Sequence, residues 1–153
     1  MIAYRLAEAR HAQTASDALS GEGAFLFGGR WNPPGYRVVY TAEHLSLAVL
    51  EVLVHTQDRT KLNDYRLVTI ALPDALAGWL ELDLPEDWPN HLSMTRRLGE
   101  TWLREARYAA LVVPSVIIAG ERNLLINPTH PDFAQLRPSE PVGFRFDPRL
   151  LLG

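Results

Sequence analysis

Apolar and polar positions follow three different rhythms along this chain. From Tyr65 to Leu72, Val68, Ile70 and Leu72 recur at every second position, which predicts a strand with one buried face. From Ser93 to Ala106, Leu98, Trp102 and Ala106 recur at every fourth position, which predicts a helix with Ser93 as its N-cap. Glu43 to His55 has helical length and content. Within it, Leu45-Ser46-Leu47-Ala48-Val49-Leu50-Glu51-Val52-Leu53-Val54 carries apolar residues all the way round at 3.6 residues per turn, the pattern of a buried helix.

Shorter apolar runs fill the remainder. Ile2 to Leu6, Arg37 to Thr41, Ala109 to Val113, Val116 to Ala119, Leu124 to Asn127 and Phe144 to Phe146 read as strands. Ala7 to Ala18 reads as a weak helix or an ordered loop, and Leu84 to Pro89 as a proline-bounded turn. Gly21, Gly23, Gly28 and Gly29 cluster ahead of Trp31-Asn32-Pro33-Pro34-Gly35, which marks close backbone approach or positive φ angles. About six or seven short strands with two firm helices make a mixed α+β domain. The expected architecture is a single compact domain over 1–153, with short-stranded mixed or antiparallel sheets and flanking helices.

Composition narrows the function classes. The 153 residues suit one core, with 47% hydrophobic and 22% charged residues. The net charge of -3 and the lack of a basic block argue against direct nucleic-acid binding. With no cysteine there is no disulfide framework, thiolate metal site or cysteine nucleophile, and the cytoplasm is the expected compartment. Met1 to Arg5 lacks a signal-peptide pattern. The longest apolar stretch, Ala109 to Ala119, is broken by Pro114 and falls short of the roughly 20 residues of a membrane helix, so no membrane partner is expected. The five histidines do not fall at metal-ligand spacing, and no metal site is expected.

Four residues carry candidate chemistry. Glu51 is the only charge in its decapeptide. An inward carboxylate is expensive unless paired or functional, and the alternative is one exposed helix edge carrying Glu51 and His55. Arg30 follows Gly28-Gly29, a pairing that lets backbone approach a phosphate while the guanidinium forks onto its oxygens. Taken alone, the pairing is weak evidence, and an ordinary tight turn is the readier explanation. Tyr40 ends the strand before the Glu51 helix and either packs in the core or stacks on a ligand ring. Ser115, after Pro114, either satisfies loop backbone or faces a ligand. His130, in Asn127-Pro128-Thr129-His130-Pro131, reads as a turn-fixing residue.

These pieces fall in one order along nearly the whole chain. Tyr4-Arg5 is followed by Gly28-Gly29-Arg30-Trp31-Asn32 with Gly35, then by Val38-Val39-Tyr40-Thr41 and Ala48-x-x-Glu51. Leu111-Val112-Val113-Pro114-Ser115 comes next, then Glu121-x-Asn123-Leu124-Leu125-Ile126-Asn127-Pro128-x-His130-Pro131, and Phe144-x-Phe146-Asp147-x-Arg149-Leu150 closes the series. The set resembles the RES-domain family, toxins of bacterial type II toxin–antitoxin systems. Between Asp58 and Arg107 the likeness is of character more than motif.

The resemblance implies a fold similar to the diphtheria-toxin-like ADP-ribosyltransferases, with NAD as substrate and cleavage of its nicotinamide–ribose bond. It implies Glu51, Arg30 and Tyr40 as catalytic residues, and Arg5, Arg30, Tyr40 and Ser115 as the residues that hold NAD. It also implies an Xre-type helix-turn-helix antitoxin over the active site, and allows a homodimer of this chain within that complex. The reaction is either hydrolysis or phosphorolysis that depletes NAD, or ADP-ribosylation of a protein. A non-enzymatic binding domain, with Glu51 and Arg30 as a structural ion pair, is the remaining alternative.

Overall fold

The computed structural model describes residues 1–80 and 83–152. Its strands are β1 (Ile2–Glu8), β2 (Val39–Ala42), β3 (Tyr65–Ala71), β4 (Ala77–Trp79), β5 (Ala110–Pro114), β6 (Arg122–Ile126), β7 (Arg137–Pro138) and β8 (Val142–Phe144). Its helices are α1 (Ala15–Ala18), α2 (Glu22–Phe27), α3 (Leu45–His55) and α4 (Leu92–Glu105), with short 3-10 turns between. The strands form one mixed sheet in the order β4-β5-β6-β2-β1-β3-β7, and β8 also pairs with β3. Among the described residues, only β4 and β5 pair in parallel. The chain between them contains α4, the crossover that a parallel pair needs.

Alternation along the strands separates two faces. Val39, Val68, Ile70, Val112, Leu124 and Ile126 face one core, to which Leu19 and Leu136 also belong. The opposite face carries Leu6, Ala42 and Tyr65 against α3, and Leu111, Val113 and Leu125 against Trp31 and α4. Tyr40 and Asn123 belong to this second face, because Ala42 pairs with Asn123 and Tyr40 with Leu125.

Several sequence expectations need correction. α3 is not buried all round: Leu47 and Ala48 are buried, but Val54 is 61% exposed and His55 is exposed. α4 starts at Leu92, and His91, two residues before Ser93, is its N-cap. Val116 to Ala119 is a turn, because Ser115 Oγ accepts the backbone N–H groups of Ile117 and Ile118 at 3.0 and 3.2 Å. The final strand is Val142–Phe144, and Phe146 lies beyond it, edge-on to Tyr65 and Phe144. α2, β4 and β7 were not expected; they are only six, three and two residues long.

Two backbone approaches fix the second face. Gly99 of α4 lies against the Trp31 carbonyl, so closely that an added Cβ would collide with it. Gly29 lies against the Tyr40 ring in the same way. Glycine at these two positions lets α4 and the Gly28–Asn32 loop close over the sheet.

Candidate active site

α3 brings Glu51 to the second face of the sheet. Ala48, Glu51 and His55 follow one another along one side of the helix, at spacings of three and four. Ala48 is 5% exposed, the Glu51 side chain 26% and the His55 side chain 77%, so this side runs from core to solvent. The carboxylate is held at both oxygens. Oε1 accepts Asn123 Nδ2–H at 2.7 Å, and Oε2 lies 3.5 Å from His55 Nε2. The hydrogen bond to Glu51 raises the His55 pKa above its ordinary value, against partial burial; Arg30 also lowers it. Arg30 therefore lies within electrostatic reach of this pair, although the Glu51 contacts are Asn123 and His55 and not Arg30.

Arg30 belongs to the loop between α2 and β2. Gly28 ends α2 at φ 71°, a left-handed conformation that favours glycine. Arg30 Nη1 donates to the Pro89 carbonyl at 2.8 Å, and the guanidinium lies 5.8 Å from the Trp88 ring centre. Thr95 Oγ1 of α4 donates to the Arg30 carbonyl at 2.7 Å, and Arg96 Nε donates to the Gly29 carbonyl at 2.9 Å. Among the described residues, the arginine–carboxylate pairs are Arg10–Glu8, Arg122–Glu43 and Arg149–Asp147. Among the described residues, Arg30 and Arg96 have no carboxylate partner, the condition an anion-binding loop requires.

Tyr40 joins the loop to the sheet. Its hydroxyl donates to Asn32 Oδ1 at 2.7 Å and accepts the Trp31 N–H at 3.0 Å. Burial pushes its pKa up to about 12, while the Trp31 N–H, Arg96 and Arg30 pull it down. Asn32 is itself 0% exposed, and its amide donates to the carbonyls of Ala24 and Pro33. The phenol thus stays protonated at neutral pH and locks the glycine loop above β2.

Ser115 follows β5, whose Val113 pairs with Asn123. Its hydroxyl oxygen satisfies the turn backbone, which is one of the two roles the sequence left open. Arg5 lies elsewhere. It pairs with Val68 across β1 and β3 and so projects from the first face, away from the Tyr40 ring. Its guanidinium donates to the Ala18 carbonyl at 2.6 Å and the Tyr40 carbonyl at 3.0 Å. Burial lowers its pKa to about 10, which leaves it charged at neutral pH.

Glu51, Tyr40 and Arg30 therefore gather around one side of the sheet, with Ser115 at the end of a strand on that side. Three supporting residues have no role in the sequence reading: Asn123 and Asn32, which stand in its motifs, and Arg96, which does not. Asn123 had a visible signal, since a polar amide at the head of the apolar Leu124-Leu125-Ile126 run is a poor strand former. Arg96 had none beyond its place on the helix. His130 matches expectation: its Nδ1 accepts the Asp132 N–H at 3.0 Å and fixes the turn. The assembled group offers one fixed carboxylate, two cations and an aromatic ring, a set suited to a positively charging centre next to an anion.

Comparison with known proteins fits this geometry. The RES domain family model matches residues 2–147. Toxin Res of Photorhabdus laumondii is 39% identical over 99% of this chain and 97% of its own length. The Prs ADP-ribosylating toxin of a Sphingobium species is 39% identical over 89% of this chain and 88% of its own length. The NAD(+) phosphorylase MbcT of Mycobacterium tuberculosis is 37% identical over 84 residues, 50% of this chain and 44% of that protein. The crystal structure of the M. tuberculosis MbcT–MbcA toxin–antitoxin complex superposes with a TM-score of 0.76 at 27% identity, over 98% of this chain and 86% of that one. By the family model, the relatives along its length and the shared mixed-sheet fold, this chain belongs to the RES-domain family.

Proposed function

We propose that this chain is the toxin of a bacterial toxin–antitoxin pair, that it cleaves the nicotinamide–ribose bond of NAD, and that it acts in the cytoplasm as one domain. The observation that carries the reading is the Glu51 carboxylate. It is held by Asn123 and His55, remains partly open to solvent, and stands on the Tyr40 and Arg30 side of the sheet.

In NAD the nicotinamide is already a pyridinium, so it leaves neutral and needs no general acid. The C1′–N bond breaks with both electrons going to the ring nitrogen, and positive charge develops on the ribose. Glu51 stabilises that charge and orients the incoming nucleophile, as carboxylates do at glycosidic centres. Arg30 binds the diphosphate oxygens. Tyr40 packs beside the nicotinamide or its ribose, and Ser115 fixes the edge of the site. Arg5 acts from the other face, by holding the β2 backbone under Tyr40. The new bond forms from C1′ to the oxygen of water or phosphate, whose proton passes to solvent or to Glu51.

A second reading has a specific support. The sequence match to the ADP-ribosylating toxin spans 89% of this chain, against 50% for the NAD(+) phosphorylase, whose structure nonetheless superposes over 98% of it. The same site serves protein ADP-ribosylation, because only the nucleophile changes.

An Xre-type antitoxin covers the site in this proposal, consistent with the likeness to a toxin from a toxin–antitoxin complex. Exposed apolar side chains beside the loop and helix, Phe27 at 79% and Val54 at 61%, suit such a cover. The test is to incubate the purified protein with NAD labelled in its adenylate half, with and without phosphate and a cell extract. Nicotinamide release with free ADP-ribose or its phosphate supports NAD depletion, and a discrete labelled protein band supports transfer. Intact NAD under all conditions sinks both.

A further inference from the structure

We propose that Asn123 is the positioning residue of Glu51, and that its side-chain amide is kept in this sheet for catalysis and not for stability. The inference rests on Glu51 being the catalytic carboxylate.

Asn123 occupies a costly place. It lies in a central strand, between Ala42 of β2 and Val113 of β5, which are each 1% exposed. Its Nδ2 donates to Glu51 Oε1 at 2.7 Å, across a sequence separation of 72 residues. Its Oδ1 is buried and has no hydrogen-bond partner among the described residues. A buried carbonyl without a donor is destabilising, and few such groups persist in folded proteins.

The amide has one other orientation, rotated by half a turn. That rotation would set Oδ1 against the carboxylate of Glu51, oxygen to oxygen. The observed orientation thus accepts an unpaired carbonyl in order to keep an N–H on Glu51. A leucine of similar volume would remove the orphan and match Val113 and Leu125 on the same face. A sheet built for stability alone favours leucine here.

The consequence is geometric. Glu51 is on the second-last turn of α3, next to exposed Val54 and His55, where the helix end frays most easily. The His55 side chain is 77% exposed and its Nε2 stands 3.5 Å from Oε2, a longer contact than the 2.7 Å bond from Asn123, so His55 is the weaker of the two supports. Asn123 is on a strand hydrogen-bonded on both sides, a rigid support. It sets the Glu51 rotamer against the reacting ribose carbon. Loss of such support costs turnover more than substrate binding.

The experiment compares wild type, Asn123→Leu and Asn123→Asp. Asn123→Leu should hold or raise the thermal midpoint, lower kcat for nicotinamide release by about 10- to 100-fold, and leave KM for NAD within about twofold. Asn123→Asp keeps a donor for Glu51 only while the pair shares a proton, so its activity should fall as pH rises relative to wild type. Wild-type kcat in Asn123→Leu overturns the proposal, as does a raised KM with kcat unchanged. Should Asn123→Leu fail to fold, the Asn123→Asp profile decides, and a profile parallel to wild type refutes the assignment. Independently of NAD, the Asn123 side-chain N–H resonances should shift in Glu51→Ala; unmoved resonances also refute it. Failure of the NAD reading is separate, since wild type would then release no nicotinamide.

Discussion

Removing one oxygen from Tyr40 should destabilise the whole second face of the sheet. The hydroxyl serves two buried groups: Asn32, at 0% exposure, and the backbone of Trp31, at 2%. Tyr40→Phe leaves the acceptor Asn32 Oδ1 and the donor Trp31 N–H unpaired together. Each orphan costs about 1–3 kcal/mol, so the pair should cost about 2–6 kcal/mol. For a chain of this size that corresponds to a fall of roughly 4–24 °C in Tm. The phenol pKa adds a pH dependence that reports the burial of the hydroxyl and not its hydrogen bonds. Burial raises it from 10.0 to about 12, a difference of about 3 kcal/mol. The folded state holds the proton more tightly, so this stability is fully present below pH 10 and is lost as pH rises through about 12. Wild type should therefore lose about 1 kcal/mol relative to Tyr40→Phe between pH 9 and pH 11. Urea unfolding followed by tryptophan fluorescence at pH 7, 9 and 11 measures both quantities. A loss below 1 kcal/mol at pH 7, or a gap that does not narrow by pH 11, would refute the argument that this hydroxyl is a buried tie.

Glu51→Gln retains shape while removing the charge, and should lower nicotinamide release by about 10²- to 10³-fold with the fold kept; an active variant measured by nicotinamide chromatography would end the role assigned to Glu51. Gly99→Ala places a Cβ on the Trp31 carbonyl and should cost about 2–3 kcal/mol or more, despite alanine's better helix propensity; circular dichroism melting would show it. The contact with Glu51 raises the His55 pKa above its ordinary value, so the pair's contribution is present below that ordinary pKa and lost as pH rises through the raised folded value. Because the side chain is largely exposed, that contribution should stay within about 0.5 kcal/mol. An NMR titration of His55 in wild type and Glu51→Gln should show the pKa fall in the variant, and equal values would remove the pairing.

The long elements and the candidate carboxylate are legible in the amino-acid pattern alone. Periodicity reaches β3, α3 and α4 because each is long enough for apolar positions to repeat, and the ordered motifs carry the family. Glu51 was conspicuous as the lone charge in an apolar helix. Shorter pieces were not legible. α2 of six residues, β4 of three and β7 of two contain less than two full periods of any pattern. The apolar run at Val116–Ala119 reads as a strand, but the Ser115 hydroxyl captures its backbone N–H groups and makes a turn.

Which residues meet depends on how the elements pack. Arg5 appears beside the other candidates in a motif order, yet its pairing with Val68 turns it to the opposite face, because side chains alternate along a strand. Glu51 and Asn123 are 72 residues apart in the chain and 2.7 Å apart in space. No local pattern encodes that contact: it arises where α3 packs across β2 and β6, and sheet register, a property of pairs of strands, places the amide under the carboxylate.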